Sequence, residues 1–222
     1  MSESSTAATD VSPVIVAIDG PAGAGKSTVG RAVAARLGLQ YLDTGAMYRA
    51  VTFAALRRGI DPTDETDVAS LAAAIEMTLD GTAVIVDGVD ATVEIRGREV
   101  TAAVSAVAAN SRVRAELVRR QRSWVAEHGG GVVEGRDIGS VVFPDATLKL
   151  YVTASPRVRA ERRVAEIGGD VDDVEASIIE RDRKDSSRAD SPLMESSDAI
   201  VVDTTGSSVD EVVDHVLGLM PA

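Results

Sequence analysis

A glycine-rich segment near the start of the chain has the residue types and spacing of a phosphate-binding loop. Residues 20–27 match the pattern G-x-x-x-x-G-K-[ST] at every position. Glycines let the backbone wrap around phosphates with its N–H groups directed inward, and a following helix adds partial positive charge at its N-terminus. The pattern predicts that Lys26 reaches the β- and γ-phosphates of a nucleoside triphosphate and that the Ser27 hydroxyl ligates Mg²⁺. The predicted donor-binding residues are Gly20, Pro21, Ala22, Gly23, Ala24, Gly25, Lys26, Ser27 and Thr28.

Several arginines could neutralise a second phosphate group. Phosphoryl transfer between two phosphorylated molecules brings like charges together, and arginine gives bidentate contacts to phosphate. Steps of four and three residues place Arg181, Asp185 and Arg188 on one helical face, although this spacing is also common in a solvated ion-pair face. Spacing alone therefore does not identify an acceptor. The full set of candidates is Arg49, Arg136, Arg159, Arg162, Arg163, Arg181 and Arg188.

Three other polar residues have ordinary structural interpretations beside functional ones. Ser105 lies in a helical region, Arg114 belongs to an arginine-rich helix, and Asp137 follows a predicted strand, where a carboxylate is common in turns. None of them identifies a substrate by itself.

The elements that must position these residues alternate between short apolar runs and helical patterns. Strands are predicted at residues 14–18, 40–43, 132–134, 148–152 and 199–202. Helices are predicted at residues 26–37, 47–58, 112–128 and 174–188, with two more that begin at Ser155-Pro156 and at the capping box Ser208–Glu211. This order predicts an α/β fold with a five-stranded parallel sheet flanked by helices.

Residues 60–104 interrupt this alternation. A turn and a helix start are predicted at residues 61–67, and a short apolar helix at 71–77. Residues 82–86 and 89–95 predict a hairpin, because the intervening Asp87-Gly88 supports a type I′ turn. The segment is therefore expected to be an α+β insertion in the α/β core. Residues 129–131, a run of three glycines, are interpreted as a helix-to-strand loop, and the Gly- and Asp-rich residues 167–173 as a mobile tip.

The composition limits the classes of function. A net charge of −12 argues against nucleic acid or an anionic membrane as a partner. The sequence has no apolar run long enough to predict a transmembrane helix. It has no cysteine, which excludes disulfides and thiolate metal sites and fits a reducing cytoplasm. Residues 1–12 are small and polar, so we expect a disordered tail rather than a signal peptide.

Four further segments occur in order after the glycine-rich loop: residues 43–49 (DTGAMYR), 105–122, 134–145 (EGRDIGSVVFPD) and 180–193. Together they resemble the motifs of the bacterial cytidylate kinases, a family of nucleoside monophosphate kinases built on a P-loop. The resemblance implies transfer of the ATP γ-phosphate to CMP or dCMP by a monomer. It also implies a core of residues 13–42, 105–154 and 171–222, an acceptor-binding lobe of residues 43–104 that contains the hairpin, and a lid of residues 155–170.

The resemblance also implies a role for each matching residue. Arg49, Arg136 and Arg188 would hold the CMP α-phosphate, and Arg181 and Asp185 would contact the ribose, with Thr44 at a position where the family commonly has Ser. Ser105, Arg114 and Asp137 would contact cytosine. The catalytic set would be Lys26, Arg136, Arg159, Arg163 and Arg188, in which Arg159 and Arg163 are the candidate lid contacts to ATP and the transition state.

The base chemistry agrees with these roles. The 4-amino group of cytosine is a donor, which suits acceptors on Asp137 and Ser105, while Arg114 would donate to the O2/N3 edge. Uracil carries a carbonyl at the 4-position, and a carboxylate facing it would be unpaired and repelled. The residues therefore predict a preference for CMP and dCMP over UMP.

Other nucleotide-binding classes fit less well. Ras-type GTPases use Asn-Lys-x-Asp to bind guanine, and the single asparagine here, Asn110, is followed by Ser111. Residues 132–134 only weakly resemble the acidic strand of mechanical ATPases. Two alternatives stay open: another small-molecule P-loop kinase, similar to shikimate kinase, and a nucleotide-binding regulatory module without transferase activity.

Overall fold

The computed structural model describes residues 13–187 and 192–221. In chain order the strands and α-helices are β1 (Val14–Asp19), α1 (Lys26–Leu37), β2 (Tyr41–Asp43), α2 (Thr44–Arg57), α3 (Glu65–Ala74), β3 (Met77–Asp80), β4 (Ala83–Val86), β5 (Val89–Asp90), α4 (Arg98–Ala109), α5 (Ser111–His128), β6 (Gly130–Glu134), β7 (Leu148–Thr153), α6 (Pro156–Ile167), α7 (Val171–Ser186), β8 (Ile200–Asp203) and α8 (Val209–Gly218). A short 3₁₀-helix (Glu94–Arg96) precedes α4, and a single π-helical turn (Ile138–Val142) follows β6.

Within the described ranges, five strands form a parallel sheet in the order β2-β6-β1-β7-β8. The non-sequential order means that helices cross from strand to strand over both faces of the sheet, which confirms the predicted α/β fold. The register pairs Glu134 with both Asp43 and Ile18, the residue before Asp19. Three acidic residues therefore end neighbouring strands at the carboxyl edge, where open α/β sheets bind their ligands.

The first helix shows how local sequence positions the loop before it. Gly25 adopts a left-handed conformation (φ 89°) at the N-cap of α1, and Gly38 (φ 66°) ends the helix with backbone bonds to Ala34 and Ala35. The predicted bounds of this helix, residues 26–37, are confirmed, as is the capping box of Ser208 and Glu211 that opens α8.

The insertion contains the predicted hairpin and one strand that the sequence did not reveal. Asp87 and Gly88 both have positive φ (48° and 75°), as a type I′ turn requires. The prediction of a helix at residues 71–77 was wrong at its end, because α3 stops at Ala74 and Met77 begins β3, antiparallel to β4. The second hairpin strand ends at Asp90 rather than at Ile95.

Several other boundaries differ from the prediction for identifiable reasons. Helix α2 begins at Thr44 rather than residue 47, because the Asp43 side chain caps it by accepting from Ala46 N. Asn110 caps α5 and separates it from α4, a helix that the sequence analysis did not delimit. Helix α7 begins at Val171, capped by Asp170, so the connection between α6 and α7 shortens to residues 168–170; its mobility stays a prediction.

The predicted helix-to-strand loop at residues 129–131 is limited to Gly129, which ends α5 in a left-handed conformation. Gly130 and Gly131 belong to β6 rather than to a loop. A Cβ on Gly131 would lie 2.8 Å from the ring of Trp124, and one on Gly130 would lie 2.5 Å from the carbonyl oxygen of Val14. Glycine is required here because α5 and β1 pack directly against the strand.

Buried apolar side chains form a core on each face of the sheet. One core joins α1 and α8 to the sheet through residues such as Val33 and Val216. The other joins the sheet to α2 and α5 and continues without a break into the insertion through Val84 and Val86. No helix in the described part of the chain is both long and apolar enough to cross a membrane.

Candidate active site

The glycine-rich loop forms a compact cradle at the end of β1. The ammonium of Lys26 is buried and donates to the Pro21 carbonyl oxygen at 2.8 Å. No side chain of the described residues caps the N-terminus of α1, so its first N–H groups remain available for an anion. Gly20 leaves no room for a side chain, because a Cβ there would lie 1.9 Å from the Val152 carbonyl oxygen.

Two side chains from outside the loop brace its backbone. Arg159 on α6 donates to the carbonyl oxygens of Ala22 and Ala154, each at 3.0 Å, and pairs with Asp182 on α7 at 2.7 Å. Thr204 after β8 donates to the Ala24 carbonyl oxygen at 3.0 Å. Arg159 is only 4% exposed, and its contacts join the glycine-rich loop to α6 and α7. Its contact with ATP stays a prediction.

Arg162 and Arg163, its neighbours on α6, have different surroundings. Arg162 donates to both the hydroxyl and the carbonyl oxygen of Thr204, at 3.0 and 2.7 Å. Arg163 is partly exposed and pairs with Glu166 one helical turn away. Of these two residues, Arg162 therefore supports the loop and Arg163 is the one with a side chain able to reorient toward a ligand.

Ser27 and Glu134 form the predicted metal side of the cradle. The Ser27 hydroxyl donates to Glu134 Oε1 at 2.8 Å. Glu134 is 6% exposed, and its second oxygen, Oε2, makes no hydrogen bond to the described residues. A buried carboxylate oxygen beside the serine hydroxyl is a suitable partner for a divalent cation or its water, since Mg²⁺ is usually bound by one or two protein oxygens together with phosphates and water.

Burial shifts the pKa values of the charged groups at this edge of the sheet. It lowers the pKa of Lys26 from its ordinary value, with Arg136 acting in the same direction. Burial raises the pKa of Glu134, with a further increase from Asp43, and it raises the pKa of Asp19 to about 6. A bound polyphosphate would favour the charged ammonium of Lys26, whereas a bound cation would favour the carboxylate of Glu134.

Arg114 and Asp137 form a buried ion pair beside the cradle. Arg114 lies in the first turn of α5 and Asp137 directly after β6, and both residues are 5% exposed. The guanidinium of Arg114 also lies over the ring of Tyr48, 5.8 Å from its centroid. Ser105, predicted to lie near them, is half-buried on α4.

Arg136 lies between the cradle and α7. Its Nε pairs with Asp185 Oδ2 at 3.2 Å, and its NH1 donates to the Gly135 carbonyl oxygen at 3.1 Å. Asp185 is 1% exposed. The family resemblance implies separate roles for these two residues, at the phosphate and at the ribose, and the structure brings them into direct contact.

A group of arginines converges on the space between α2, the 3₁₀-helix and α7. Arg49 donates to the Ile95 carbonyl oxygen and to the Thr101 hydroxyl, each at 2.9 Å. Burial, together with repulsion from Arg181 and Arg96, lowers its pKa to about 10. Arg96 pairs with Asp43 at 3.1 Å and was not predicted from the sequence. Mutually repelling cations in one place favour an anion between them.

Two predicted acceptor-side residues, Thr44 and Arg188, lie outside this group of arginines as the structure describes it. The Thr44 hydroxyl donates to the Glu134 carbonyl oxygen at 2.6 Å and is buried, so it fixes β6 to the start of α2. Its contact with substrate stays a prediction. Arg188 lies outside the described residues.

Sequence reasoning missed Asp19 and Arg96, and it did not assign a role to Glu134. Asp19 Oδ1 accepts from Ile138 N and Oδ2 from Gly139 N, each at 2.8 Å. The available signal was position: Asp19 and Glu134 each end an apolar run, beside the glycine-rich loop and the GRD segment respectively. Arg96 offered no such signal, because it lies in an irregular part of the insertion.

Comparison with known proteins agrees with this geometry. The family model for cytidylate kinase matches residues 16–222. The chain is 48% identical to a cytidylate kinase of Corynebacterium efficiens, covering 94% of this chain and 95% of that protein. It is 50% identical to a cytidylate kinase of Symbiobacterium thermophilum, covering 92% and 94% respectively.

A more distant likeness concerns the fold alone. A gluconokinase structure from Sinorhizobium meliloti superposes with a TM-score of 0.50 at 16% identity, covering 93% of this chain and 91% of that one. The extent and identity of the closer matches show that the chain belongs to the cytidylate kinase family.

Proposed function

We propose that the protein transfers the γ-phosphate of ATP to CMP or dCMP, giving ADP and the nucleoside diphosphate. The observation that carries this proposal is the buried Arg114–Asp137 pair, which lies beside a complete phosphate cradle and next to Arg136. A buried donor and acceptor side by side can match the donor and acceptor edges of one base. Membership of the cytidylate kinase family supports the same activity.

Asp137 would accept from the cytosine 4-amino group, and Arg114 would donate to the O2/N3 edge. Ser105 would complete the contact from α4. An ionised carboxylate has only acceptor oxygens, so uracil would present a carbonyl to it and leave both groups unpaired. Discrimination against a base that leaves buried polar groups unpaired is strong in proteins.

The arginine group would hold the acceptor phosphate. Arg49 of α2, Arg181 of α7 and Arg136, which follows β6, come from three different parts of the chain, and Arg96 adds a fourth cation. Arg188 is proposed to join them, and Asp185 would share the ribose hydroxyls with Arg181. The attacking atom is a phosphate oxygen, already largely ionised near neutral pH, so no strong general base is required.

Lys26 and the backbone N–H groups of residues 20–28 other than Pro21 would bind the ATP phosphates. Ser27 and Glu134 fit Mg²⁺, which would supply charge neutralisation at the β- and γ-phosphates. Charge that develops during in-line transfer would then be stabilised by Lys26 and Arg136, with Arg163 as the lid residue best able to reach it.

Separate segments of the chain are proposed to bind CMP and to close over ATP. Residues 43–104 would form the acceptor lobe and residues 155–170 the lid, and their closure would exclude water and limit ATP hydrolysis. Because β4 shares one core with Ala17 and Val133 of the sheet, we expect this closure to bend the lobe on the sheet without separating their common core. The protein is proposed to act as a cytoplasmic monomer.

The test is an ADP-release assay with MgATP against CMP, dCMP, UMP, AMP, GMP and shikimate. We expect strong turnover with CMP and dCMP and weak turnover with UMP. Turnover of shikimate or AMP in preference to CMP would overturn the proposed acceptor. Absence of turnover with every acceptor, with ATP still bound, would favour the regulatory alternative.

A further inference from the structure

Asp19 is a buried carboxylate that the proposed chemistry does not use. It is the last residue of β1, directly before Gly20, and is 5% exposed. Its two oxygens accept from two successive backbone N–H groups, Ile138 N and Gly139 N, each at 2.8 Å. Both carboxylate oxygens are therefore hydrogen-bonded to the same segment of the chain.

That segment carries Arg136 and Asp137, the two residues proposed to contact CMP. Ahead of them, Gly135 N donates to the Ile18 carbonyl oxygen at 2.9 Å. Behind them, Ile138 N and Gly139 N are held by Asp19. Arg136 and Asp137 therefore span a short bridge whose two ends are both fixed to the end of β1.

Asp19 also caps the start of the π-helical turn, where Asp137 occupies the N-cap position. Ile138 begins the π-helical turn, and the residue at its N-cap position is Asp137, which makes no side-chain capping bond in the described structure. A carboxylate at a helix start normally caps the free N–H groups. Because Asp19 caps them instead, the Asp137 side chain is left to Arg114.

We propose that Asp19 is a positioning residue for base discrimination, which sets the orientation of Asp137 from beneath the phosphate cradle. This inference rests on the proposed function. Two N–H donors that point at two different oxygens require a carboxylate, since asparagine offers one acceptor oxygen and would turn its NH₂ group toward the second N–H. A small displacement of Asp137 would weaken its contact with the base, because such contacts depend on sub-ångström placement.

The test compares Asp19→Asn with wild type in steady-state kinetics. We expect the CMP-to-UMP ratio of kcat/KM to fall about tenfold or more, mainly through a higher KM for CMP, with the KM for ATP changed less than about twofold. Asp19→Ala removes both acceptors and should lower the ratio further. Val216→Ala, in the core on the far side of the sheet, is the control for lost stability and should leave the ratio unchanged.

The outcomes separate the inference from the proposed function. A wild-type enzyme that does not distinguish CMP from UMP would overturn the base contacts themselves and this inference with them. A discriminating wild type whose ratio survives Asp19→Asn, while melting temperature and kcat fall as in the control, would overturn the inference alone. A lowered ratio at an unchanged KM for ATP would support it.

Discussion

At the scale of single residues, the surroundings of Glu134 give the strongest argument for the proposed Mg²⁺ site. Its Oε1 accepts from Ser27, and its buried Oε2 makes no hydrogen bond of ordinary length to the described residues, although the Tyr41 hydroxyl lies near enough to the carboxylate to lower its pKa. Replacement by glutamine keeps the size and removes the charge. We therefore expect Glu134→Gln to lower kcat about tenfold or more and to raise the Mg²⁺ concentration needed for half-maximal activity, with little change in the KM for CMP.

The matched control is Glu211→Gln on α8. Glutamine also completes a capping box, so this variant makes the same chemical change without loss of local structure. A Mg²⁺ titration of initial rates checks both variants. Equal Mg²⁺ requirements in Glu134→Gln and wild type would remove Glu134 from the metal site.

Asp19 makes a second prediction at this scale, in the pH dependence of stability. Burial raises its pKa to about 6 in the folded protein, against 3.8 for the ordinary group. The folded state therefore binds the proton more tightly, and the stabilisation that results is complete below pH 3.8 and is lost as the pH rises through about 6.

Relative to Asp19→Asn, the wild type should thus gain unfolding free energy as the pH falls from 7 to 4, by an amount of the order of 2 kcal/mol. Urea denaturation of both proteins across this range measures the difference. A difference that stays constant with pH would show that Asp19 has an ordinary pKa in the folded state.

At the scale of elements, α5 holds the insertion in place through Arg120. The Arg120 guanidinium donates to the carbonyl oxygens of Ala72, Ala73 and Ile75, where α3 ends. These bonds satisfy carbonyls that a helix end leaves unpaired, and they place a cation at its negative pole. We expect Arg120→Leu to lower the unfolding free energy by about 2 kcal/mol in urea titrations.

Arg119→Leu is the control, one position along the same helix. Its side chain is 64% exposed and pairs only with Glu116 among the described residues. Exposed ion pairs contribute little, so we expect the urea midpoint of Arg119→Leu to stay close to that of wild type. Equal losses in the two variants would contradict a specific role for the α3 contacts.

The elements also show where sequence reasoning succeeds and where it stops. Helix α1 and the hairpin were predictable because Gly25, Gly38 and Asp87-Gly88 specify their backbone locally. Strand β3 was not, because its residues pair with β4 while the apolar run before them continues a helical pattern. Strand β6 was predicted at residues 132–134, but its start was missed, because the close packing of Gly131 against Trp124 is visible only in three dimensions.

The residues of the candidate site also differ in how far the sequence alone could predict them. Lys26 and Ser27 follow from a local motif, which predicted their position at the start of α1; their contacts with phosphate and Mg²⁺ stay predictions. The Arg114–Asp137 and Arg136–Asp185 pairs join residues far apart in sequence, and only the family resemblance brought them to one site in advance. The supporting contacts of Arg159 with Ala22 and of Asp19 with Ile138 depend on the packed fold and left no sequence pattern.

At the scale of the whole molecule, the insertion and the sheet share one apolar core. Buried residues of β4 belong to the same cluster as Ala17 and Val133 of the sheet. A shared core favours cooperative unfolding. We expect one transition in which far-UV circular dichroism and the fluorescence of Trp124, the single tryptophan, change together.

Trp124 suits this measurement because of its location. It is half-buried in a groove of about 350 Å³ that is lined by Met47 of α2 and by Met77 and Leu79 of β3. Its emission therefore reports directly on the contact between α5 and the insertion. An earlier fluorescence change at low denaturant would show that the insertion opens independently of the sheet.

The central claim is that this acidic protein places Lys26 and several arginines in one cleft, where they allow phosphate transfer to a cytosine nucleotide. The most direct test is the CMP-to-UMP ratio of kcat/KM in wild type and in Asp137→Asn, with Asp145→Asn, an exposed carboxylate farther along the same segment, as the control. We predict a high ratio in wild type and in the control, and a fall of about 100-fold or more in Asp137→Asn. A ratio near one in wild type, or one that Asp137→Asn leaves unchanged, would contradict the account.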